Sequence, residues 1–387
     1  CNLCGAIFTA GAPEGVNKQR EYDVTVPSMI ALLKYGCGFP FNRLAGLQGN
    51  LGIPLPASTQ YGILSPVKNM FDPILAELIR QAACGELVHN DDTTNRILSM
   101  MGKRAQQQEP PEDGTTDPAQ KKASERRGIF TTGIVSVFEG HRIVLFFTGK
   151  KHAGENLADL LARRAEGLKP PIQMCDALSR NRPGEFETIL ANCLAHARRR
   201  FVEVTNLFRN ECRYVLESLE VIYKNDSIAR QRELSPEERL EFHQTQSGPT
   251  MDKLHAWLTR QFEDRLVEPN SALGECITYL LKHWPKLTLF LRKAGAPLDN
   301  NICERALKKA IRHRKNSLFY RNQNGADTGD LFMSLIHTCE LCGANPFDYI
   351  NELQRHAQEL ASNPADWMPW NYRQTLDGAG ASPEPTR

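Results

Sequence analysis

Residues 297–320 read PLDNNICERALKKAIRHRKNSLFY, and this stretch predicts an amphipathic helix around which the other segments can be arranged. It opens with Asp299–Asn301, residue types that commonly begin helices. Apolar or small residues then recur at helical spacing, so one face of the helix should dock on a hydrophobic core. The residues of that face are Cys303, Leu307, Ala310 and Ile311.

A second face of this helix carries one carboxylate at the start of a positive stripe. Glu304, Lys308 and Arg312 stand four residues apart, which places them on the same side. No acidic residue occurs from Arg305 to Arg321. This pattern suits a helix that offers one metal ligand and lines the path of a polyanion. The alternative is a capping box between Asn301 and Glu304, with a basic stripe that is only solvated.

The composition is that of an ordinary soluble globular protein. The chain has 387 residues, enough for two or three domains, with 41% hydrophobic and 24% charged residues. The formal net charge is only +2, so affinity for nucleic acid would have to come from local clusters of basic residues. No apolar run reaches membrane-spanning length. Eleven scattered cysteines indicate reduced thiols and a cytoplasmic protein that has no membrane partner.

The N-terminal region, residues 1–85, begins with half of a zinc knuckle. Cys1 and Cys4 have the Cys-x-x-Cys-Gly spacing, but a closed structural site needs four ligands and no second pair lies nearby. We interpret the pair as part of a truncated zinc ribbon that offers Zn²⁺ an incomplete site. Because the first residue is Cys rather than Met, we also expect an upstream portion of the gene product. Residues 26–83 look helical and fit either a helix-turn-helix or a small helical packing module.

Residues 86–204 mix strand and helix signals. Glu86–His89 predicts a short strand with Asp91 just beyond its end. Ile129–Thr148 predicts a β-hairpin, because two runs of β-branched and aromatic residues flank a short turn at Glu139–His141. Ile172–Asp176 predicts a buried strand with a carboxylate at its end. The order of these elements predicts a mixed sheet covered by helices.

The other segments complete a five-part organisation. Residues 103–127 are rich in Gln, Pro, Glu, Lys and Ser, which predicts a flexible insertion without a core. From Leu190 onward the chain shows helical apolar stripes for about a hundred residues, typical of a helical bundle. The predicted parts are 1–85, 86–204, an all-helical insertion at 205–296, a segment at 297–350 with the helix of Glu304, and 351–387 with a C-terminal helix and a disordered tail.

Three carboxylates hold positions that suit a metal site. Asp91 and Asp176 end predicted strands, and Glu304 lies one turn into a helix. Hard oxygen ligands favour Mg²⁺ or Mn²⁺, and two such ions about 4 Å apart can promote phosphodiester cleavage. Close carboxylates repel one another unless a cation neutralises them. Any single Asp at a strand end is more often a turn or cap residue, so the hypothesis rests on the combination.

The sequence resembles the insertion sequence 66 family of bacterial transposases from about Val26 to Tyr372. Four segments and two further motifs carry the likeness, and the helix at PLDNNICERAL is the most specific of them. The segments are Val88–Thr93, Gln173–Asp176, Cys193–Arg200, and residues 297–307 with His313–Asn316, and the further motifs are Lys151–Asn156 and Trp367–Trp370.

The resemblance implies a DDE transposase, whose α/β catalytic domain is a ribonuclease-H-like mixed sheet flanked by helices. It further implies that Asp91, Asp176 and Glu304 bind Mg²⁺ or Mn²⁺ as the catalytic triad, and that the helical block at 205–296 interrupts this fold. Members usually have Asp-Glu-Thr at the first acid, whereas this chain has Asp-Asp-Thr, so Asp92 stands as the neighbouring alternative to Asp91. Members also usually carry a complete cysteine set in a longer N-terminal region.

The expected activity is cleavage at the ends of an insertion sequence and strand transfer into target DNA, in the bacterial cytoplasm near the nucleoid. We expect a homodimer or larger complex on DNA, with accessory proteins of the same element as further partners. Alternatives are a non-catalytic DNA-binding remnant and a nuclease on the same fold. Cys193-x-x-His196 matches a signature of several transposase groups, and we interpret it as structural. The predicted phosphate contacts are Arg198, Arg199, Arg200, Lys308, Arg312, Arg314 and Lys315.

Overall fold

The structure of the protein, a computed structural model, describes residues 22–102 and 126–380. It contains a five-strand mixed sheet flanked by helices, which confirms the predicted mixed α/β class. Three predicted features fall outside the described residues. They are the half zinc-knuckle at Cys1 and Cys4, the flexible insertion at 103–127 apart from its last two residues, and the C-terminal tail beyond residue 380.

The sheet combines an antiparallel half and a parallel half. Its order is β3-β2-β1-β4-β5, where β1–β2–β3 pair antiparallel and β4 and β5 run parallel to β1. The strands are β1 Leu87–Asn95, β2 Ile129–Phe138, β3 His141–Gly149, β4 Ile172–Cys175 and β5 Ile189–Asn192.

Helices surround this sheet, and most of the chain between Asp176 and Glu304 is helical. A π-helical turn at Leu32–Gly36 follows the first of them, and one-turn 3₁₀ segments occur at four described places. The helices are α1 Thr25–Ala31, α2 Phe41–Asn50, α3 Ala57–Met70, α4 Asp72–Ala83, α5 Ala153–Leu161, α6 Leu194–Val204, α7 Arg209–Gln231, α8 Pro236–Gln246, α9 Gly248–Glu263, α10 Ala272–Leu287, α11 Asn301–Ser317, α12 Gln323–Cys342, α13 Pro346–Arg355, α14 Ala357–Ser362 and α15 Tyr372–Gly380.

The predicted β-hairpin is confirmed, with a turn of two residues. Glu139 and Gly140 both have positive φ, 49° and 79°, as a type I′ turn between twisted strands requires. His141, which was expected in the turn, is already the first residue of β3 and pairs with Phe138. The tight turn sets the register of β2 against β3.

Two strand predictions were wrong in extent. Strand β1 runs to Asn95 instead of ending at His89, so Asp91 lies inside the strand and not beyond it. The cause is tertiary pairing, because β1 pairs with β2 along its whole length, up to Asn95 opposite Ile129. Residues 189–192 form β5, whereas helix was predicted from Leu190 onward, because pairing with β4 holds this short apolar segment extended.

One helix covers the outer edge of the sheet with polar side chains. Backbone N–H groups of Val144 and Phe146 in β3 donate to the hydroxyls of Thr338 and Ser334 on α12, each at 3.0 Å. Two further bonds join Thr148 to Asp330 on the same helix. The three α12 residues are four apart, so they form one row along the free edge of β3. An exposed strand edge is a template for unwanted pairing, and this row occupies it.

The described residues bury two large hydrophobic clusters. In the first, Phe71 and Leu78 of the N-terminal helices pack with Ile134 of the sheet and Phe332 of α12. The helices between residues 25 and 83 therefore share a core with the sheet. The second cluster joins β4 and β5 to helices α6, α7, α9 and α10. In the part of the chain that the structure describes, no helix is both long and apolar enough to cross a bilayer.

Candidate active site and nucleic-acid interface

Two of the predicted acids lie on neighbouring parallel strands. Strand β1 pairs with β4 so that Leu87 is opposite Ile172 and His89 is opposite Met174. Continuing this register by two residues places Asp91 opposite Asp176, which directly follows β4. Because side chains alternate between the faces of a sheet, residues at matching positions of paired strands point to the same face. The two carboxylates therefore share one face of the sheet.

The third acid belongs to the helix that covers this face. Asp91 pairs across β1 and β2 with Gly133, which lies directly under α11. A methyl group at Gly133 would come within 3.0 Å of the Leu307 side chain, and the Cys303 thiol donates to the Gly133 carbonyl at 3.2 Å. Helix α11 packs this closely because its predicted apolar face is buried there. Glu304 is in the first turn of α11 and lies on the same side as Asp91.

The pKa of Asp91 responds to its burial and to the acids around it. Burial raises the pKa of Asp91 to about 7, against an ordinary value of 3.8. The Asp92 N–H, which donates to Asp91 Oδ1 at 2.8 Å, opposes this rise, while the negative charges of Asp176, Asp92 and Glu304 add to it. A carboxyl that neighbouring acids repel in this way is a good ligand for a divalent cation, since the cation would offset their negative charges.

Asp92, the alternative to Asp91, serves the opposite face of the sheet. Its carboxylate is 2.9 Å from Nδ1 of His152, accepts from the Ala153 N–H at 3.2 Å and lies 3.4 Å from the Arg180 guanidinium. Only 1% of the side chain is exposed. These contacts hold the first turn of α5 against β1, where a negative charge is favourable. Asp92 therefore has a structural partner set, and Asp91 faces the other two acids.

The Asp176 carboxylate is fixed by the loop that follows it. Oδ1 accepts from the Asn181 side-chain amide at 2.5 Å and from the Leu178 N–H at 3.1 Å. Both donors belong to the loop between β4 and β5, and Asn181 is itself buried. The loop thus orients Asp176 without neutralising its charge.

A buried asparagine joins the start of α11 to the centre of the sheet. Oδ1 of Asn300 is 3.0 Å from Nδ1 of His89, and its amide donates to the Asn90 carbonyl at 3.2 Å. The backbone N–H of Asn300 donates to the Cys193 thiol at 3.3 Å. Asn300 is fully buried, so these bonds have no competition from water. They set the position of the first turn of α11, and hence of Glu304, relative to β1.

The alternative role considered for Glu304, a capping box with Asn301, is wrong. The side-chain amide of Asn301 donates instead to Asp299 at 2.7 Å, and no side chain caps the helix at Asn300. Asp299 also accepts from the Asn301 N–H at 3.0 Å, so the turn before the helix closes on itself. Glu304 is therefore not used to begin its helix.

The Glu304 carboxylate instead faces helix α6. Its Oε1 is 3.7 Å from Nδ1 of His196, and its Oε2 is 4.0 Å from the Arg199 guanidinium. Both Oε1 and the His196 Nδ1 are buried and have no hydrogen-bond partner. Cys193, His196 and Glu304 each present a ligand atom within 4.8 Å of the others. The sequence showed Cys193 and His196 as a pair, but not that Glu304 completes a cluster with them.

Two grooves flank this region, and Arg199 lines both. The larger, of about 1080 Å³, lies along α6 and α7 and also contains Arg198, Arg209, Arg213 and Asn301. The smaller, of about 530 Å³, contains Asp176, His196 and Arg200 together with Tyr279 and His283 of α10. The Arg200 guanidinium lies 4.1 Å from the centre of the Tyr279 ring, a cation–π contact. Asp176 therefore opens directly into a groove that carries arginine.

The comparisons with known proteins identify the family. A sequence model of the IS66 transposase family matches residues 21–328. The chain belongs to the IS66 transposase family. This confirms the resemblance that the motifs suggested.

The relatives of this IS66-family chain include three proteins of Sinorhizobium fredii (strain NBRC 101917 / NGR234), each described as an uncharacterized protein. The protein y4jD is 33% identical over 394 residues, covering 98% of this chain and 72% of its own length. For y4hP the identity is 27% over 393 residues, covering 96% and 66%. For y4qI it is 29% over 228 residues, covering 56% and 41%. No solved structure matches the chain.

The basic residues predicted for this IS66-family chain take up two different positions. Arg198, Arg199 and Arg200 are exposed on α6, and Lys308, Arg312 and Lys315 are exposed on α11. Arg314 differs, because its guanidinium donates to the Thr94 hydroxyl at 2.8 Å and the Thr93 hydroxyl at 3.2 Å. It thereby links α11 to the end of β1. The sequence missed Arg209 and Arg213, which look like any surface arginine until α7 is seen to form a groove wall.

Proposed function

We propose that this chain is a DDE transposase that cleaves DNA at the ends of its insertion sequence and joins those ends to target DNA. The observation that carries the proposal is the placement of Asp91 and Asp176 on one face of the sheet, under the helix that bears Glu304, in an IS66-family chain. We further propose that the catalytic domain is ribonuclease-H-like. The mixed five-strand sheet, with acids on two adjacent central strands and a third on the covering helix, supports this.

The residues present fit Mg²⁺ or Mn²⁺. All three ligands are carboxylates, the hard donors these ions prefer, and burial raises the pKa of Asp91, so a bound cation would favour its ionised form. Asp91 and Asp176 would hold the ions between adjacent strands, and Glu304 would complete the set from α11. When bound, the metal supplies the positive charge that activates water and stabilises the leaving oxygen.

The proposed reaction has two balanced displacements at phosphorus. Water first attacks the phosphodiester at the element end, the bond to the 3′ oxygen breaks, and a free 3′-hydroxyl results. That hydroxyl then attacks a target phosphodiester, so a new bond from phosphorus to oxygen forms while the target strand releases its own 3′-hydroxyl. No covalent enzyme intermediate is needed, and the chain contributes mainly positioning and charge.

The DNA path proposed here follows the two arginine grooves. Arg198 and Arg199 line the groove beside Glu304, and Lys308 and Arg312 continue from Glu304 along the exposed face of α11. Phosphate contacts of this kind bind DNA without reading its sequence. Arginine also matches the geometry of phosphate oxygens through paired N–H donors. The grooves therefore bring a phosphodiester backbone past the acids.

The proposed partners and cellular location are those that the sequence predicted. We propose that two or more copies act together to hold both DNA ends, with accessory proteins of the same element, in the bacterial cytoplasm at the nucleoid. The two curated relatives that match nearly the whole of this chain are longer than it, since the chain spans 72% and 66% of their lengths. The transposition activity of a protein of that full length is therefore proposed as well.

Glu304→Gln tests the proposal, because it keeps the shape of the side chain and removes its charge. With Mg²⁺ and labelled DNA from the ends of the element, the native chain should nick the ends and form joined products. Glu304→Gln should lose both activities and keep its affinity for the same DNA. Glu263→Gln is the matched control, since Glu263 is an exposed acid on α9 that lines neither groove.

The products separate the three candidate functions. Joined strands support a transposase, nicking without joining indicates a nuclease, and binding without nicking indicates a DNA-binding remnant. The remnant is less favoured, because a chain that only binds DNA gains nothing from a carboxyl group as unfavourably placed as that of Asp91. Normal joining by Glu304→Gln would show that the assignment of the metal ligands is wrong.

A further inference from the structure

We propose that Cys193, His196 and Glu304 form a second metal site, selective for a borderline transition metal such as Zn²⁺. Their ligand atoms lie within 4.8 Å of one another. Cys193 comes directly before α6, His196 is in its first turn, and Glu304 is in the first turn of α11. The site is thus built where two rigid helices begin, which is a favourable position for a precise ligand set.

The donor atoms decide which metal this site would prefer. A thiolate, an imidazole nitrogen and a carboxylate oxygen are ligands for Zn²⁺ or Co²⁺, whereas Mg²⁺ prefers oxygen alone. Zinc bonds of about 2.0 to 2.3 Å place tetrahedral ligand atoms roughly 3.5 Å apart. The distance from His196 Nδ1 to Glu304 Oε1 is 3.7 Å, close to that spacing. Three protein ligands leave a fourth position open to water or a phosphate oxygen.

Two unsatisfied atoms point to a missing partner at this position. His196 Nδ1 and Glu304 Oε1 are both buried and neither makes a hydrogen bond. A buried polar atom without a partner costs about 1–3 kcal/mol, so an arrangement that leaves two of them facing each other needs an explanation. One metal ion between them would satisfy both atoms.

Two backbone N–H groups lie against the Cys193 sulfur. The N–H of Asn300 donates to it at 3.3 Å, and the N–H of His196 also interacts with it. Such contacts suit a thiolate that is bound to a metal. Because the metal would replace the thiol proton, we expect binding to release protons and to strengthen as the pH rises.

This site would also compete with the proposed catalytic ions for Glu304. A Zn²⁺ ion that holds Glu304 towards α6 would take it away from Asp91 and Asp176. We expect micromolar Zn²⁺ to inhibit Mg²⁺-dependent cleavage by the native chain, and Cys193→Ser to relieve that inhibition. This consequence rests on the proposed function, whereas binding of the metal does not.

Co²⁺ is the probe for the test, because a bound thiolate gives it a charge-transfer absorption in the near ultraviolet. The full chain would carry Cys1→Ser and Cys4→Ser, so that the N-terminal pair cannot contribute. Titration should show one Co²⁺ per chain with this absorption, and Zn²⁺ should displace it. Cys193→Ser should abolish the absorption. Cys276→Ser, which changes another buried cysteine in the insertion, should leave it intact.

A second variant guards against loss of folding. His196 is partly exposed, so His196→Ala should fold, as its circular dichroism spectrum would verify. It should weaken Co²⁺ binding by about 100-fold, since loss of even an indirect partner of a metal site costs roughly 10–100-fold. An unchanged absorption in Cys193→Ser, or unchanged affinity in folded His196→Ala, would overturn the site. Either result concerns only the second metal site, and Mg²⁺-dependent cleavage by the native chain tests the proposed function separately.

Discussion

Replacing Asp91 by Asn should make the metal-free protein more stable at alkaline pH. The pKa of Asp91 in the folded state is about 7, and its ordinary value is 3.8. Folding therefore favours the protonated carboxyl, and the ionised form destabilises the native state. Multiplying the difference by 1.36 kcal/mol for each pH unit gives about 4 kcal/mol that the native chain loses when Asp91 ionises.

The sign and the pH window follow from the same two values. Below pH 3.8 the carboxyl is protonated in both the folded and the unfolded chain, so the stabilities of native protein and Asp91→Asn should be similar. Between about pH 4 and pH 7 the native protein should lose stability relative to the variant by about 1.4 kcal/mol per pH unit. Above pH 7 the difference should stay constant. Urea unfolding of both proteins in EDTA, from pH 4 to pH 8.5, measures it directly.

Mg²⁺ supplies the second half of this experiment. If the ion binds at Asp91, it should restore stability to the native protein at pH 8.5 by about 2.7 kcal/mol at a concentration of 100 times Kd. The Asp91→Asn variant should gain little, because one ligand has lost its charge. The stabilisation should also fall as the pH drops below 7, since protons then compete with the metal.

Asp92→Asn is the matched control, because it makes the same chemical change one residue further along β1. Asp92 is paired with His152 and Arg180, so this variant should lose about 2 kcal/mol of stability at pH 8.5 where Asp91→Asn gains. The opposite signs distinguish the two faces of the sheet. Equal effects of the two substitutions, or a difference for Asp91→Asn that does not change with pH, would refute the reasoning.

Three further variants test the supports of the site. Asn300→Ala should lower the free energy of unfolding by about 2–3 kcal/mol in urea, since two buried partners lose their bonds, while Asn301→Ala should cost less than 1 kcal/mol. Gly133→Ala should lower the free energy of unfolding by about 1–3 kcal/mol, because the new methyl group contacts Leu307. The double variant with Leu307→Ala should lose less than the sum of the two single losses. Arg209→Ala should weaken DNA binding and reduce the slope of its salt dependence by about 1, as titrations at several salt concentrations would show.

Much of the secondary structure could be predicted from local patterns. The apolar face of α11 repeats every three to four residues, and its members Cys303, Leu307 and Ala310 are buried. The hairpin of β2 and β3 follows from β-branched runs on either side of Glu139–Gly140. Ser235, Pro236 and Glu238 are the residue types that begin a helix, and in the structure they form the capping box of α8. In each case the cause lies within a few residues.

The sequence was a poor guide where distant pairing determines the structure. Residues 91–95 are polar, and they become strand only because β2 extends along them. The segment 189–192 is too short to show a strand or helix periodicity, and pairing with β4 keeps it extended. The ends of strands beside a site depend on such contacts, which no local window contains.

The sequence predicted the three acids of the candidate site but not the residues that surround them. The choice between Asp91 and Asp92 depends on which face of β1 each side chain takes, and the structure separates them by their partners. The approach of Glu304 to His196 joins residues more than a hundred positions apart. Asn300 seemed only a helix-starting residue, yet its side chain ties α11 to the sheet. These features arise from packing.

The row of Asp330, Ser334 and Thr338 along β3 has a consequence for how copies of this chain can meet. The backbone donors at 144, 146 and 148 are already used, so a second protomer cannot extend the sheet from that border by adding a strand of its own. Assembly on two DNA ends would have to recruit helices or loops. Changing these three side chains to apolar ones would leave the border open, and the expected failure is fibre-like self-association with no loss of the acid cluster.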